Sequence, residues 1–429
     1  MKKKISGLGI LISILILIIT GCSSIPGLQA TQDSPVQTTA TPTITPPPTQ
    51  ITADIPTTIN LSVWLSPRFS PNEEDPAGSL LLQRINEFNT MYPNLNVTFR
   101  IKAESGPASL LESLDTARKA APLVLPDLVL LSSDDMIHAA EEELIFPYPE
   151  SYFEDDNEDW YDAAFPLGNY QLNAYGIPFA ADALVAVYNP LVVESFPTSW
   201  SDLLLEERPI SFPVADPQAV YTLDLYLSNQ GRLVDDENNI ILEAQSLTDI
   251  FSYYSQALSA NLLPPNPAQI DTDESAFSQL LAGRSEIAIT WASRHLALSD
   301  TSVVATTPPS IEGNSFTVMK GWVWSVTSPD PNEQAAAMEL ARFLSAPEFT
   351  GPWTEAANLL PLRPSALDRW QNEQNRGLAG LLLSVGEPVP PPRVKAVVST
   401  PIRDAILDVI TGVQTPSEAS QSVMDILGN

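Results

Sequence analysis

The chain has 429 residues, 44% of them hydrophobic, and a formal net charge of −31. This length exceeds what one hydrophobic core usually supports, so we expect two folded lobes. The negative charge argues against nucleic acid and anionic membrane surfaces as partners, since both are negatively charged themselves. One cysteine and two histidines exclude a disulfide framework and a Cys/His zinc cluster. We therefore predict neither a metal site nor a cofactor.

The N-terminus has the pattern of a secretory leader. Met1–Lys4 is basic, Ile5–Ile19 is apolar, and Thr20-Gly21-Cys22 follows. The apolar stretch is short for a membrane span of about 20 residues. The segment resembles the lipobox of bacterial lipoproteins, which implies cleavage before Cys22 and a lipid on that cysteine. We expect an extracytoplasmic protein anchored to a membrane, and the sequence does not say which membrane.

A run of Thr, Pro, Ser, Gln and Ala follows the leader as far as Thr58. Such a composition lacks the large apolar side chains needed for a core and favours extended conformations. We predict that residues 1–21 form the signal peptide and residues 22–58 form the lipidated cysteine and a disordered tether. Whether the threonines carry glycans is left open.

The first folded segments alternate between strand and helix patterns. Ile59–Leu65, Leu95–Ile101 and Leu128–Leu131 read as strands, with helices over Ser79–Tyr92 and Leu110–Ala120. This order predicts a mostly parallel sheet with right-handed crossovers.

Ligands of open α/β sheets bind beyond the carboxyl ends of the strands. This rule nominates Trp64 at the end of the first strand and Ser133 and Asp134 after the third. The alternatives are a core tryptophan and the cap of the next helix.

The segment from Tyr175 to Tyr188 is a long apolar run that begins with a Gly176-Ile177-Pro178 turn and predicts a strand buried on both faces. Its position a third of the way along the chain makes it a passage between two lobes. Asp182 is the one charge within it, which makes it a candidate ligand-binding residue. The alternative is an ion pair with an arginine between the lobes.

Later elements follow the same alternation. We predict strands at Ile210–Phe212, Glu286–Trp291 and Ser315–Thr327, helices at Ala219–Ser228, Leu247–Ala260, Ser275–Ala282 and Gln334–Leu344, a turn at Pro388–Pro392, and a terminal helical pair at Pro401–Gly412 and Pro416–Leu427.

Several of these segments together resemble the extracellular solute-binding proteins of bacterial ABC importers. Tyr175-Gly176-Ile177-Pro178, then Val187-Tyr188-Asn189, then Pro197-Thr198-Ser199-Trp200 occur in the family's order and spacing. The most similar branch binds sugars and includes maltodextrin-binding protein. This chain departs from the family's pattern at two positions. The family usually has Lys where this chain has Pro190, and Glu where this chain has Asp202. The resemblance covers Ile59 to the end of the chain.

The resemblance implies an α/β, two-lobed periplasmic-binding-protein-like fold of type II, with mixed sheets flanked by helices and a ligand cleft between the lobes. We expect lobe 1 to comprise residues 59–180 and about 301–345, and lobe 2 residues 181–300 and about 346–429. It also adds Trp291, Gly321 and Trp322 to the candidate site, with either Trp322 or Trp324 facing the cleft. The predicted ligand-binding set is Trp64, Ser133, Asp134, Asp182, Trp291, Gly321 and Trp322.

No motif for an enzyme's catalytic constellation is present in the sequence. Tryptophan rings suit the apolar face of a sugar, and nearby Asp and Ser groups suit its hydroxyls. We therefore expect a receptor that binds a sugar or oligosaccharide and delivers it to ABC permease subunits. The alternatives are a binding protein for a polyamine or peptide, and a secreted glycosidase.

Overall fold

The structure is a computed structural model that describes residues 58–153, 159–235, 237–298 and 302–428. The predicted leader, Cys22 and nearly all of the predicted tether lie outside the described residues. Among the helices in these ranges, none combines the length and the apolar composition that a membrane span requires.

Strands and helices alternate along most of the chain. The strands are β1 (Ile59–Leu65), β2 (Leu95–Ile101), β3 (Leu128–Ser132), β4 (Asn169–Tyr170), β5 (Asn173–Ala174), β6 (Ile177–Tyr188), β7 (Ile210–Ser211), β8 (Ile287–Trp291), β9 (Val304–Thr306), β10 (Thr317–Val326) and β11 (Gly386–Pro388). The helices of the first half are α1 (Pro76–Met91), α2 (Leu110–Ala120), α3 (Ser133–Glu141), α4 (Ala164–Gly168), α5 (Trp200–Leu205), α6 (Val220–Ser228) and α7 (Ala244–Ser259). Those of the second half are α8 (Asp273–Leu281), α9 (Ala292–Leu296), α10 (Pro331–Leu344), α11 (Pro347–Ala357), α12 (Pro364–Leu367), α13 (Glu373–Val385), α14 (Pro392–Thr411) and α15 (Pro416–Leu427).

The strands form a mixed sheet in the order β2-β1-β3-β10-β6-β8-β7, with β11 beside β10 and β9 beside β6. The pairs β1–β2 and β1–β3 are parallel, as the strand–helix alternation predicts. Strand β10 returns from late in the chain and pairs antiparallel with both β3 and β6. The parallel half-sheet is thereby joined to the rest of the molecule by two neighbouring antiparallel strands.

Two hydrophobic cores lie along this sheet. The first core surrounds β1–β3 and most of β6, as far as Val187. The second surrounds β7, one face of β8, and helices α6, α7, α14 and α15. Strand β6 pairs with β10 up to Ala183 and with β8 from Leu184 onward. On β10, Val318 belongs to the second core and Met319 to the first. Both strands therefore pass from one core to the other, and the expected α/β fold with two lobes is confirmed.

The core assignments differ from the expected lobe boundaries, most extensively after residue 345. We placed residues from about 346 onward with the second lobe, but the buried side chains from Phe349 to Leu383 belong to the first core. There, Trp353 packs against Phe179 of β6 with ring centroids 4.5 Å apart. Only α14 and α15 contribute the C-terminal part of the second core. The physical reason is the aromatic face of α11, where Phe349 and Trp353 pack against Phe179 of β6.

One predicted helix boundary is also wrong. We expected a proline-rich turn up to Pro392 and a helix from Pro401, but α14 runs unbroken from Pro392 to Thr411. A proline is well tolerated at the first helical position, where its missing N–H has no helical acceptor to meet. The interior Pro401 is tolerated as well, in a helix held on the second core by Val394, Val398 and Ile402.

Candidate functional site

A cavity of about 400 Å³ lies between the residues of the two cores, and we call it the central cavity. The first-core side supplies the end of β3 and the start of α3. The second-core side supplies the loops before α6 and α8, the end of β8, and the start of α14. Its lining residues are Ser132, Ser133, Asp134, Leu184, Pro213, Asp216, Pro217, Gln218, Val220, Tyr221, Asp271, Thr272, Asp273, Trp291, Lys320, Gly321, Val389 and Lys395.

Four of the seven predicted site residues line this cavity: Ser133, Asp134, Trp291 and Gly321. Ser133 and Asp134 lie in the first turn of α3, directly after β3. Ser132 caps this helix, and its hydroxyl accepts a hydrogen bond from the backbone N–H of Asp135 at 3.1 Å. The Ser133 hydroxyl donates to the Gly321 carbonyl oxygen at 3.3 Å. A Cβ at Gly321 would stand 2.7 Å from Leu167 Cδ1, so glycine lets β10 approach α4. Residues at the end of β3 and in β10, which are far apart in the sequence, therefore lie on the same wall of the central cavity.

Trp291 ends β8 and is half-buried. One face of its ring is covered by Lys320, whose Nζ lies 3.6 Å from the ring centroid. Both residues also line a neighbouring cavity of about 640 Å³, so they stand between two spaces. A cation over an indole face is attracted by the ring quadrupole. A ligand that stacks on this tryptophan must therefore use the opposite face or displace the lysine.

Asp182 lies beneath this lysine and is only 1% exposed, so it does not line the cavity. Its Oδ2 lies 3.9 Å from Lys320 Nζ. It also accepts from the backbone N–H and hydroxyl of Ser293, at 2.9 and 2.6 Å. Burial raises the pKa of Asp182, and the lysine and both hydrogen bonds oppose that rise. Burial also lowers the pKa of Lys320, opposed by the aspartate. Asp182 therefore positions Lys320 and the start of α9.

Two predicted tryptophans are not at the cavity. Trp64 is 2% exposed and belongs to the first core, with Lys102 Nζ 4.0 Å from its ring centroid. Trp322 is half-buried between Phe69, at 5.4 Å between ring centroids, and Arg68, whose guanidinium carbon lies 4.9 Å from its ring. Trp324 is fully buried. The expected convergence of three indole rings on one gap is not what the structure has, because Trp64 lies inside the first core and Trp322 packs against that core beside Phe69 and Arg68.

The lining residues on the second-core side of the central cavity, which we call the second-core wall, were not predicted from the sequence, apart from Trp291. Asp216 and Gln218 follow β7, and Asp271 and Asp273 precede or begin α8. The rule that nominated the end of β3 also applies to the end of β7, so it would have found Asp216. Its carboxylate accepts the backbone N–H groups of Gln218 and Val220 at 3.0 and 2.9 Å. The sequence around Lys395 does not indicate a binding-site residue, since this lysine lies in the first turn of a long helix.

A family model described as bacterial extracellular solute-binding protein matches residues 83–377 of the sequence. The chain belongs to this family. The match spans both cores, including β6 and β10 and most of the cavity wall. No curated protein matches the sequence.

Solved structures with the same fold include several sugar-binding proteins. The maltodextrin-binding protein of L. casei BL23 is 14% identical with a TM-score of 0.70, covering 86% of this chain and 98% of that one. The sugar-binding protein of Xanthomonas citri is 15% identical with a TM-score of 0.70, covering 86% and 97%. The maltose-binding protein of Listeria monocytogenes is 14% identical with a TM-score of 0.69, covering 86% and 97%. At these identities the likeness establishes the fold.

Charges of opposite sign are paired around the cleft of this solute-binding protein. Lys395 donates to Asp134, Lys320 lies beside Asp182, and Arg294 Nε donates to Asp273 at 2.9 Å. These pairs neutralise three of the carboxylates at or beside the cavity and retain free donors and acceptors, while Asp216 and Asp271 also lie on its wall. In the described part of the chain, no group of three or more His, Cys, Asp or Glu side chains could hold a metal ion. The arrangement suits a neutral ligand rich in hydroxyls.

Proposed function

We propose that this solute-binding protein captures a sugar or short oligosaccharide in the central cavity. The observation that carries the proposal is a cavity lined by the half-buried Trp291, paired carboxylates and ammonium groups, and backbone from both cores. An indole contributes apolar surface for a sugar's C–H face, while charged groups exchange hydrogen bonds with its hydroxyls. The sugar ligands named for proteins of the same fold support the same class.

Ligand capture involves no chemical step. Three of the carboxylates at the cavity are occupied structurally, since Asp134 binds Lys395, Asp273 binds Arg294 and Asp216 binds backbone N–H groups. Hydrolysis of a glycoside requires two carboxyl groups placed on either side of the bond and free to exchange protons. We therefore propose binding without turnover.

A thermal-shift screen tests the ligand class. Sugars, amino acids, short peptides and polyamines are added one at a time to the purified protein, and the midpoint of unfolding is measured. A bound solute raises the midpoint by mass action, and saturation at about 100 times the dissociation constant stabilises by about 2.7 kcal/mol. We expect sugars to raise it and polyamines to leave it unchanged. If polyamines alone raised the midpoint of unfolding, the ligand would be a cation and the proposal of a sugar would be wrong.

Calorimetry and product analysis on the strongest sugar separate a receptor from a hydrolase. We expect one ligand bound per chain and the same sugar recovered unaltered after prolonged incubation. Release of shorter sugars in proportion to time and protein concentration would contradict a pure binding role.

We further propose that Cys22 carries a lipid and that the bound sugar passes to an ABC permease. Metabolic labelling with a fatty-acid analogue tests the anchor, and Cys22→Ser is the matched control because it removes only the sulfur nucleophile. Label on the wild type and none on the variant is the expected result. Uptake of the sugar by cells lacking this protein tests the delivery, and undiminished uptake would contradict it.

A further inference from the structure

An ion pair joins the two cores at the wall of the central cavity. Asp134 lies in the first turn of α3, which packs on the first core through Met136 and Ala139. Lys395 lies in the first turn of α14, which packs on the second core through Val394 and Val398. The lysine Nζ donates to Asp134 Oδ2. The contact therefore crosses from one lobe to the other within the proposed binding site.

A second cavity of about 650 Å³ lies beside the central one, and we call it the side cavity. Ser133, Asp134 and Val389 line both, so the two cavities adjoin at this wall. The side cavity combines apolar side chains and prolines with polar groups, including Tyr170, whose hydroxyl donates to Glu141 Oε1 at 3.0 Å. Its lining therefore offers both apolar surface and hydrogen-bonding groups to a ligand.

The ion pair stands at the boundary of these cavities. Asp134 belongs to the shared wall, and Lys395 reaches it from the opposite lobe. The lysine is only 9% exposed, which makes the pair costlier to break than an ion pair on the surface. A ligand that extends from one cavity into the other passes this pair, at a wall that also contains Ser133 and Val389.

We propose that the Asp134–Lys395 ion pair limits the length of the saccharide that this protein binds. The inference rests on the proposed function. With the pair intact, a ligand in the central cavity does not extend into the side cavity, and the central cavity's volume of about 400 Å³ is at the small end of the range for small-molecule sites. The preferred ligands are then short saccharides of roughly one or two rings. Removal of the pair joins the two cavities and admits longer chains.

Affinities for a length series test this inference. The dissociation constants of glucose, maltose, maltotriose and maltotetraose are measured by calorimetry for the wild type and Lys395→Met. Methionine keeps an unbranched apolar side chain of similar length and removes the ammonium group. We expect the wild type to bind maltose at least as tightly as maltotetraose. In the variant, the preference should shift toward maltotetraose on the order of tenfold.

Lys119→Met is the matched control. Lys119 forms an ion pair with Asp115 at 2.7 Å on α2, where its side chain is 71% exposed. This variant should keep the wild-type order of affinities. Asp134→Asn releases the pair from the other lobe and should shift the preference in the same direction as Lys395→Met. It keeps the inference testable if the lysine variant does not fold, as judged by its melting curve.

Three outcomes would overturn the inference. One is a wild type that already prefers maltotetraose, and another is an unchanged preference in Lys395→Met. A third is an equal loss of affinity for every length, which would make Lys395 a contact of the sugar within the central cavity. If none of the four sugars binds the folded proteins, the length series is built on the best sugar of the thermal-shift screen, and failure of every sugar in that screen would instead reject the proposed function, and this inference with it.

Discussion

Individual residues show how similar sequence contexts produce different roles. Trp64 and Trp291 both lie at or next to the carboxyl end of a strand, yet only Trp291 lines the cavity. β1 is flanked by β2 and β3, so Trp64 lies in the middle of the first core's sheet. Trp291 is the last residue of β8 and is half-buried beside Lys320. The direction of the side chain and the identity of the neighbouring strands determine whether a tryptophan lies in the core or at the cavity. Neither can be deduced from the local sequence.

Removing the indole of Trp291 should weaken sugar binding while leaving the fold intact. Trp291→Ala deletes the largest side chain among the cavity's lining residues, and we expect a loss of about 1–3 kcal/mol in binding free energy. Trp64→Phe is the control, because that ring lies in the first core and its loss should lower stability without changing affinity. Calorimetry with the best sugar of the screen measures both. Equal losses of affinity in the two variants would contradict the assignment of the site.

Burial of a carboxyl group predicts a pH dependence of stability. Asp224 on α6 is 1% exposed and accepts the backbone N–H of Val318 on β10 at 2.8 Å. Burial raises its pKa to about 8, opposed by that hydrogen bond. The folded state therefore holds a proton that the unfolded chain releases near pH 4. Its contribution to stability is present at low pH and is lost as pH rises toward 8, by at most about 1.4 kcal/mol per pH unit.

Asp224→Asn should flatten this dependence, because an amide mimics the protonated acid and does not ionise. The free energy of unfolding is measured by denaturant titration between about pH 5 and about pH 9. We expect the free energy of unfolding of the variant to rise relative to that of the wild type as pH increases. The neighbouring Tyr221 and Tyr254 have raised pKa values from burial and stay neutral in this range. Asp425→Asn, at an exposed position on α15, should follow the wild-type curve. Parallel curves for Asp224→Asn and the wild type would contradict a buried neutral acid.

At the scale of elements, close backbone contacts guide the chain into β6. The carbonyl oxygen of Gly168 at the end of α4 accepts the N–H groups of Tyr175 and Gly176 at 2.9 and 3.0 Å. These bonds close the β4–β5 hairpin and set the entry into the long strand between the cores. A Cβ at Gly168 would stand 2.2 Å from the Gly176 carbonyl oxygen. This approach is compatible only with glycine unless the backbone moves.

Gly168→Ala should therefore destabilise the protein by about 1–3 kcal/mol, because a backbone oxygen cannot turn aside as a side chain does. Gly377→Ala on α13 is the matched control, since a Cβ there meets nothing within 4 Å. In a helix interior, alanine is favoured over glycine by up to about 1 kcal/mol, so this control should be neutral or stabilising. Chemical denaturation measures both. A Gly168→Ala variant as stable as the control would show that the hairpin relaxes freely.

Much of the element order follows from local periodicity, and the helix α2 matches its expected bounds at both ends. Apolar spacing and proline or asparagine breaks are local properties, so they predict where helices and strands begin. Pairing across the sheet is not local. The ion pair between Asp134 and Lys395 joins residues 261 positions apart, and nothing near either one indicates the other. The second-core wall and the placement of α11–α13 escaped prediction for the same reason.

For the whole molecule, the two crossing strands explain why one cavity receives residues from most of the chain. β10 contributes Lys320 and Gly321, which pair with Asp182 and Ala181 of β6, and β6 continues beside β8 in the second core. Side chains from early, middle and late segments therefore meet where the strands pass between the cores. A ligand bound there contacts both lobes at once, which couples its binding to their relative arrangement.

The net charge of −31 predicts that salt stabilises this protein. Like charges on a compact surface repel one another, and unfolding moves them apart. Raising NaCl from about 0.01 M to about 0.15 M shortens the Debye length from about 30 Å to about 8 Å, so the melting temperature should rise. Near pH 4, where exposed carboxylates are about half protonated, the rise should be much smaller. Scanning calorimetry at both pH values measures it, and an equal rise at each would show that salt acts through hydration and not through charge repulsion.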